Sequence, residues 1–308
     1  MTPLFYVCVV VGFLLGLIFG SFLNVCISRI PKGESIVHPR SRCPQCGATI
    51  RWYDNIPVLS WLILRGRCRD CNTRIPIRYP LVELAMAVYT SYLVSGYLLW
   101  VGHYHPDDRP VLTITYLAGF IFGFLLIGLI VMDWQTFTLP DAFTLTGIAI
   151  GLFLVCTQAI FLGPTEDQIL LTKHSIHLTS PGNVIDRGNI FLTGPETLIG
   201  GRILAVIGAA LLLLIIRWLY KAIRHREGMG LGDVKLIAMI AAFLGFAPAL
   251  LALFLGVLLA SLYGVWLVLQ RKGGAATRLP FGSFLAAGGL VAALWGNTLI
   301  NSYLALFR

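Results

Sequence analysis

The chain has 308 residues, of which 57% are hydrophobic and only 12% are charged, and its mean hydropathy is +0.82. A soluble protein of this length needs far more polar surface, so the composition excludes a soluble globular domain and indicates a polytopic membrane protein. Membrane topology and anionic lipid account for the formal net charge of +9, so we expect the lipid bilayer, and no nucleic acid, as a partner.

Apolar segments of roughly 20 residues, the length needed to cross a bilayer, recur along the chain and predict an all-α fold of about eight transmembrane helices. The first segment lacks a basic leader and a small-residue cleavage site, so we expect it to be retained. The sixth and seventh share one apolar run, divided only at Gly245 to Pro248. The predicted spans lie near residues 4–26, 81–101, 112–132, 142–162, 197–219, 234–248, 250–270 and 281–304.

Lysine and arginine are unevenly distributed between the predicted loops. Ten of the 23 fall in the loop 27–79, and alternation of the spans puts eight more on the same side. Positive residues mark the cytoplasmic side, so we expect both termini outside. We divide the chain into an N-terminal region, 1–111, and a six-helix region, 112–308, with an external insertion at 163–196. In that insertion the alternation of HSIHLTS and NIFLT suggests short strands.

Four of the seven cysteines form two Cys-x-x-Cys pairs in the loop 27–79, with 21 residues between the pairs. This spacing is typical of a zinc site, because each tight turn presents two thiolates. Two disulfides are a poor alternative on the reducing side of a membrane. A closed set of four ligands predicts a structural Zn²⁺ in a cytoplasmic loop between the first two spans. The predicted ligands are Cys43, Cys46, Cys68 and Cys71.

Three aspartates, Asp133, Asp141 and Asp233, lie at the cytoplasmic ends of predicted spans and therefore at one depth. Acidic groups at membrane depth are functional candidates. Two carboxylates at one site can share a proton, so that one takes a proton from water while the other donates one to a carbonyl oxygen. This is the chemistry of aspartic peptidases. On these residues alone, a structural or ion-relay role is an equal alternative.

The stretch GMGLGDVKL, residues 228–236, places three glycines before the sixth span. Gly228, Gly230 and Gly232 permit a non-helical entry to the helix and the close approach of a substrate strand, although they also suit a plain loop-to-helix junction. Lys235 either favours the ionised form of Asp233 or extends its amine to the interface.

Short motifs occur in a fixed order from one end of the chain to the other. Together they resemble those of the bacterial type 4 prepilin peptidases, which are leader peptidases and N-methyltransferases of the GxGD class of membrane aspartyl proteases. The motifs are GSFLNV (20–25), RIP (29–31), CPQC (43–46), DNIP (54–57), GRC (66–68) followed by Cys71, RYPLVE (78–83), MDWQTFTLPD (132–141), GMGLGDVKL (228–236) and LPFG (279–282).

The resemblance implies a multi-pass enzyme of the bacterial inner membrane whose active site faces the cytoplasm. Asp133 and Asp233 would be catalytic, and the nearby Gly230, Gly232, Lys235 and Asp141 would support them. The enzyme would cut between the basic leader and the hydrophobic helix of a type IV prepilin, or of a pseudopilin of a secretion system, and would methylate the new N-terminus with S-adenosylmethionine. Gln135, Pro76 and Ser283 depart from the family pattern.

The methyltransferase activity rests on the resemblance alone, because the chain has no G-x-G-x-x-G after a strand. Gly66 and Glu83 are the candidate cofactor-binding residues, although Glu83 also suits a buried partner for an arginine. One alternative is a peptidase without methylation. Another class is a transporter or proton relay that uses Asp133 and Asp233, which predicts acids near the bilayer midplane and an inverted repeat. A third is a non-catalytic scaffold.

Overall fold

A computed structural model describes residues 3–102, 106, 109–161, 195–224, 230–270 and 279–306. Within these residues the regular structure is helical, apart from two isolated β-bridges, which confirms the predicted all-α class. The chain divides into two compact units, Met1–His103 and Tyr104–Arg308. The predicted insertion and its suggested strands lie outside the described residues, except for the beginning of a helix at Pro195.

Three helices form the first unit: α1 (Pro3–Arg29), the short α2 (Leu59–Ile63) and α3 (Arg78–Val101). Gly12, Gly16 and Gly20 recur every four residues on the side of α1 that contacts α3. A Cβ added at Gly16 would lie 2.5 Å from the Cα of Ala87, and one at Gly20 would lie 2.6 Å from the Cα of Glu83. Small residues are therefore needed, because the two backbones touch, as is common in membrane helix pairs.

Six helices form the second unit over its described residues: α4 (Arg109–Thr136), α5 (Asp141–Phe161), α6 (Pro195–Arg224), α7 (Leu231–Leu244), α8 (Phe246–Leu269) and α9 (Phe281–Ala305). The shortest helix, α7, packs against the other five. Its residues from Leu236 to Ala242 are almost fully buried. A helix that is apolar all round is stable when neighbours cover every side, so α7 forms the core of this unit.

Seven helices in the described part of the chain are long and apolar enough to cross a membrane: α1, α3, α4, α5, α6, α8 and α9. The predicted sixth span, 234–248, is instead the 14-residue α7. At 1.5 Å per residue α7 is about 21 Å long, which is shorter than a bilayer core of about 30 Å. Gly245 ends α7 with a φ of +89°, so the shared apolar run divides where the sequence predicted, but into a short and a long helix.

Candidate active site and metal centre

Asp133 lies near the end of α4, with only 5% of the residue exposed, and it meets the N-terminus of α9. The backbone N–H of Ser283 donates to its Oδ2 at 2.7 Å, and the Ser283 hydroxyl lies 3.1 Å from the same oxygen. A Cβ added at Gly282 would lie 3.1 Å from the Asp133 Cγ, so the absent side chain lets the helix approach. The first N–H groups of a helix lack the usual partner four residues back, and here the Ser283 N–H, which also lies 3.1 Å from the Pro280 carbonyl, binds the carboxylate.

Asp233 occupies the third position of α7 and is 8% exposed. Gly230 precedes the helix in an extended conformation, with φ −75° and ψ 157°, and its N–H donates to the Asp233 carboxylate. An acidic residue at the third helical position reaches back in this way in a capping box. The non-helical entry expected of these glycines is therefore present at Gly230, whereas Gly232 is already the second residue of the helix and Gly228 lies outside the described residues.

The two buried carboxylates are close enough to interact electrostatically. Leu139, from the segment TLPD, lies against both Gly232, next to Asp233, and Gly282, next to Asp133. Its side chain would lie 3.1 Å from a Cβ added at Gly232 and 2.8 Å from one added at Gly282. The end of α4, the beginning of α7 and the beginning of α9 therefore meet at one place, which brings together the aspartates that the sequence singled out.

Lys235 forms an ion pair with Asp141, the first residue of α5, with 2.6 Å between Nζ and Oδ1. Both side chains are partly exposed. The expectation that Lys235 acts on Asp233 is replaced by this pair. Residues two apart on a helix point to different sides, so the lysine and the aspartate of GDVK project away from each other.

Sequence reasoning noted Ser283 only as a departure from a pattern and gave Gly282 no role. The available signal was the segment LPFGS, in which a proline precedes an apolar helix whose first turn contains two small residues. Such a helix start offers unpaired N–H groups, and these attract a buried carboxylate.

The four predicted cysteine ligands come together in the first unit, with their sulfur atoms within 4.8 Å of one another. The Cys43 and Cys71 sulfurs are 3.7 Å apart, far beyond the length of a disulfide bond. A tetrahedral metal with bonds of about 2.3 Å to sulfur places its ligands about 3.8 Å apart. The cluster therefore has the dimensions of a four-thiolate metal site.

The two cysteine pairs are held by equivalent turns. Cys43 N–H donates to Ala48 at 2.9 Å, and Cys68 N–H donates to Thr73 at 2.8 Å. Gly47 and Asn72 occupy the same place in the two turns, with φ of 72° and 56°, a conformation that glycine and asparagine tolerate. Each turn thus presents its two thiols on one side, as the sequence predicted.

Hydrogen bonds from the side chain and backbone of Thr73 lower the pKa of Cys71 to about 6. A lowered pKa favours the thiolate, which is the form that binds metals.

A salt bridge connects the DNIP motif to the second cysteine turn. The Arg69 guanidinium donates to both oxygens of Asp54, at 2.6 to 3.1 Å, and lies over the ring of Tyr53 at 5.6 Å. Hydrogen bonds from Arg69 lower the pKa of Asp54. Because the pair has bidentate geometry, it fixes the relative position of the two segments.

Glu83 of α3 is 8% exposed and accepts a hydrogen bond from the Val58 N–H at 2.7 Å. Ser21 and Asn24 of α1 also hydrogen-bond to its carboxylate. These donors are neutral groups, whereas the sequence suggested an arginine as one alternative. Val58 has φ +59°, a strained conformation for a β-branched residue, and such strain is typical of functional sites.

Gly66 has a backbone role in the structure. Its φ is +66°, and a Cβ at this position would lie 2.8 Å from the ring of Trp61. The Trp61 indole donates to the Ile75 carbonyl at 3.1 Å, and the Ile75 N–H donates to the Gly66 carbonyl at 2.7 Å. Glycine is therefore required for a turn that supports the second cysteine pair.

The fold and these sites define a polytopic helical membrane protein with a pair of buried aspartates and a four-cysteine cluster. Comparison with family models matches residues 14–97 to the bacterial peptidase A24 N-terminal domain and residues 188–265 to the type IV leader peptidase family.

Relatives named prepilin leader peptidase/N-methyltransferase match almost the whole chain. The protein from Stutzerimonas stutzeri is 32% identical over 97% of this chain and 95% of its own length. Those from Pseudomonas putida and Pseudomonas aeruginosa are 31% and 32% identical, over 99% and 94% of this chain and 96% and 91% of theirs. No solved structure matches. The chain therefore belongs to the type IV leader peptidase family, which confirms the resemblance drawn from its motifs.

Proposed function

We propose that this protein is a membrane aspartyl endopeptidase that removes the basic leader from type IV prepilins or pseudopilins and then methylates the new N-terminus. The observation that carries the peptidase activity is the electrostatically coupled pair of buried aspartates, Asp133 and Asp233, at adjoining helix ends. Family membership and the names of the relatives support the substrate class.

In the proposed reaction, the ionised carboxylate takes a proton from water, and the water oxygen bonds to the carbon of the scissile carbonyl. The protonated carboxyl donates its proton to the carbonyl oxygen, which gives a tetrahedral intermediate. Its collapse breaks the C–N bond, the nitrogen receives the proton that the first carboxylate took from water, and one hydroxyl proton of the intermediate returns to the second carboxylate. The products are the leader acid and the free amine of the mature pilin.

We place the enzyme in the bacterial inner membrane, with its aspartates at the cytoplasmic side and its termini outside. The excess of lysine and arginine in the loop 27–79 supports this orientation. The position of both aspartates at helix ends suits a substrate whose polar leader meets an apolar helix at the membrane surface. The carboxylates then lie where the scissile bond enters the interface.

The buried carboxylate of Glu83 and the groups that hydrogen-bond to it, which we call the Glu83 site, are our candidate for methyl transfer. S-adenosylmethionine supplies a methyl group on a positively charged sulfur, and a carboxylate suits both that charge and the amine that receives the methyl group. Ser21, Asn24 and Val58 orient Glu83 by hydrogen bonds. Their removal would leave the carboxylate free to turn away from a bound amine.

We propose that the four cysteines hold a structural Zn²⁺. The spacing of their sulfurs suits a tetrahedral ion, and all four positions are filled by thiolates, which leaves none open for catalysis. The ion would fix the two cysteine turns and, through Asp54 and Arg69, the DNIP segment that leads to Val58.

The test is to incubate the full chain in detergent with a prepilin and S-adenosylmethionine and to determine the products by intact mass. We expect leader loss plus one methyl group. Asp133→Asn and Asp233→Asn should each abolish leader loss, whereas Glu34→Gln, which alters an exposed carboxylate, should behave as the parent.

Glu83→Gln should release the leader without adding the methyl group. Processing at the parent rate by correctly inserted Asp133→Asn or Asp233→Asn would contradict the aspartyl mechanism and reopen the transporter alternative. Leader loss without methylation by the parent would leave a peptidase only.

A further inference from the structure

The short helix α2, in the loop between α1 and α3, has its polar and apolar sides reversed relative to a helix in a water-soluble domain. Leu59, Leu62 and Ile63, which share one side of the helix by their spacing, are 49%, 59% and 67% exposed. Ser60, on another side, is buried, and its hydroxyl donates to the Tyr53 carbonyl at 3.0 Å. The polar residue therefore faces the protein and the apolar residues face outward, which indicates an interaction surface.

The position of α2 along the neighbouring helices indicates its partner. The Val58 N–H, immediately before α2, donates to the Glu83 carboxylate at 2.7 Å, and Glu83 is five residues beyond the start of α3. At 1.5 Å per residue this is about 7.5 Å along α3, which is about 36 Å long in all, against a bilayer core of about 30 Å. The beginning of α2 therefore lies at the level where lipid headgroups meet the acyl chains.

The contact between α1 and α3 supports the same level. A Cβ added at Gly20 would lie 2.6 Å from the Cα of Glu83, and Gly20 is nine residues before the end of α1. The loop that leaves α1 must therefore fold back along the helix pair to bring Val58 to Glu83. Leu81 and Leu84, at this level of α3, are exposed, as the lipid-facing residues of a membrane span are.

The charge around α2 suits a phospholipid surface. The segment from Ile56 to Arg67 contains no acidic residue, and its two arginines, Arg65 and Arg67, follow α2 and are exposed. Lipid phosphates attract such residues, and an apolar side with neighbouring basic residues is typical of a helix that lies in the plane of the interface.

We propose that α2 is an interfacial helix whose exposed side, Leu59, Leu62 and Ile63, inserts into the leaflet at which α1 ends and α3 begins. The bilayer then holds the loop against the membrane and keeps the Glu83 site at the interface. A mature pilin whose apolar helix stays in the bilayer presents its new amine at that level. This consequence rests on the proposed methyl transfer, whereas the insertion itself does not.

Photocrosslinking in a bilayer tests the insertion directly. The photoreactive residue p-benzoylphenylalanine replaces Ile63 in the full chain, which is reconstituted in vesicles of phosphatidylethanolamine and phosphatidylglycerol, irradiated and measured by intact mass. The positive control is the same replacement at Leu84, exposed at the same level of α3, and the control for water is Gln45, exposed between the cysteines of the first turn. We expect a yield of lipid adduct at Ile63 close to that at Leu84 and several-fold above that at Gln45.

A lipid yield at Ile63 no higher than at Gln45 overturns the proposal, as does an adduct formed only within the chain or, when a prepilin is added, only with the prepilin. If the Ile63 variant does not fold, as judged by gel filtration, the same replacement at Leu62 decides in its place. Lipid adducts in a protein that leaves the prepilin whole would support the inserted helix and reject the proposed function. Cleavage and methylation without lipid adducts above the Gln45 control would reject the insertion alone.

Discussion

The close approach of α9 to Asp133 predicts a sharp sensitivity to one methyl group. In Gly282→Ala the new Cβ would lie 2.8 Å from the Leu139 Cδ1 and 3.1 Å from the Asp133 Cγ and Oδ2. Ordinary carbon contacts are about 3.5 to 4.0 Å. The end of the leucine can rotate away, but the carboxylate is held by the Ser283 N–H and must move by a few tenths of an ångström.

A misplacement of about 1 Å at a catalytic group can lower the rate about 100-fold. We therefore expect kcat for leader removal to fall roughly 10-fold to 100-fold in Gly282→Ala, with KM near the parent value. Gly296→Ala on the same helix is the matched control, because its Cβ would lie 3.8 Å from its nearest neighbours, an ordinary contact. Equal kcat values for the two variants in a mass-resolved prepilin assay would refute the reasoning.

Three further predictions concern other contacts. Cys68→Ser should lower bound zinc, measured by elemental analysis, from one ion per chain to near zero. The control Cys156→Ser, within α5, should not. A full zinc content in Cys68→Ser would contradict the proposal that the four cysteines bind the ion. Gly20→Ala places a Cβ 2.6 Å from the Cα of Glu83, so methylation should fall more than leader loss in the mass assay. The control is Gly102→Ala, because a Cβ added at Gly102 has no atom within 4 Å. Methylation by Gly20→Ala at the level of the parent would contradict the assignment of methyl transfer to the Glu83 site. The pair Lys235–Asp141 is partly exposed, so its coupling free energy should be below about 1 kcal/mol. The measurement is a double-mutant cycle of thermal unfolding with Lys235→Gln and Asp141→Asn. A much larger value would assign the pair a structural role.

Much of the helix layout could be predicted from the sequence, because span length and composition are local properties. The length of α7 could not. The apolar run through residues 234–270 contains enough residues for two spans, and only the conformation of Gly245 decides where the first helix ends. A short helix is acceptable here because α7 is covered by its neighbours and need not itself match the bilayer thickness.

The residues of the candidate site, like the helices, could be predicted from the sequence only in part. Asp133, Asp233 and the four cysteines are marked by residue type and spacing, which a sequence displays directly. Ser283 and the neutral donors to Glu83 are not, because their roles depend on which backbones come into contact. For the donors to Glu83, the available signal was the stripe of Gly12, Gly16 and Gly20, which predicts a close helix partner for α1 without naming it.

Both aspartates depend on helix starts, and this explains the motifs that precede them. A buried carboxylate needs donors, and the membrane interior offers few besides the unpaired N–H groups at a helix N-terminus. Asp133 uses the start of α9 after LPFG, and Asp233 uses the start of its own α7 after the glycines. Gly282 leaves space where the start of α9 meets the Asp133 carboxylate. Since the two starts are separate, a substitution at one should disturb its own aspartate first and affect the other through their shared charge and through Leu139, which lies against both starts.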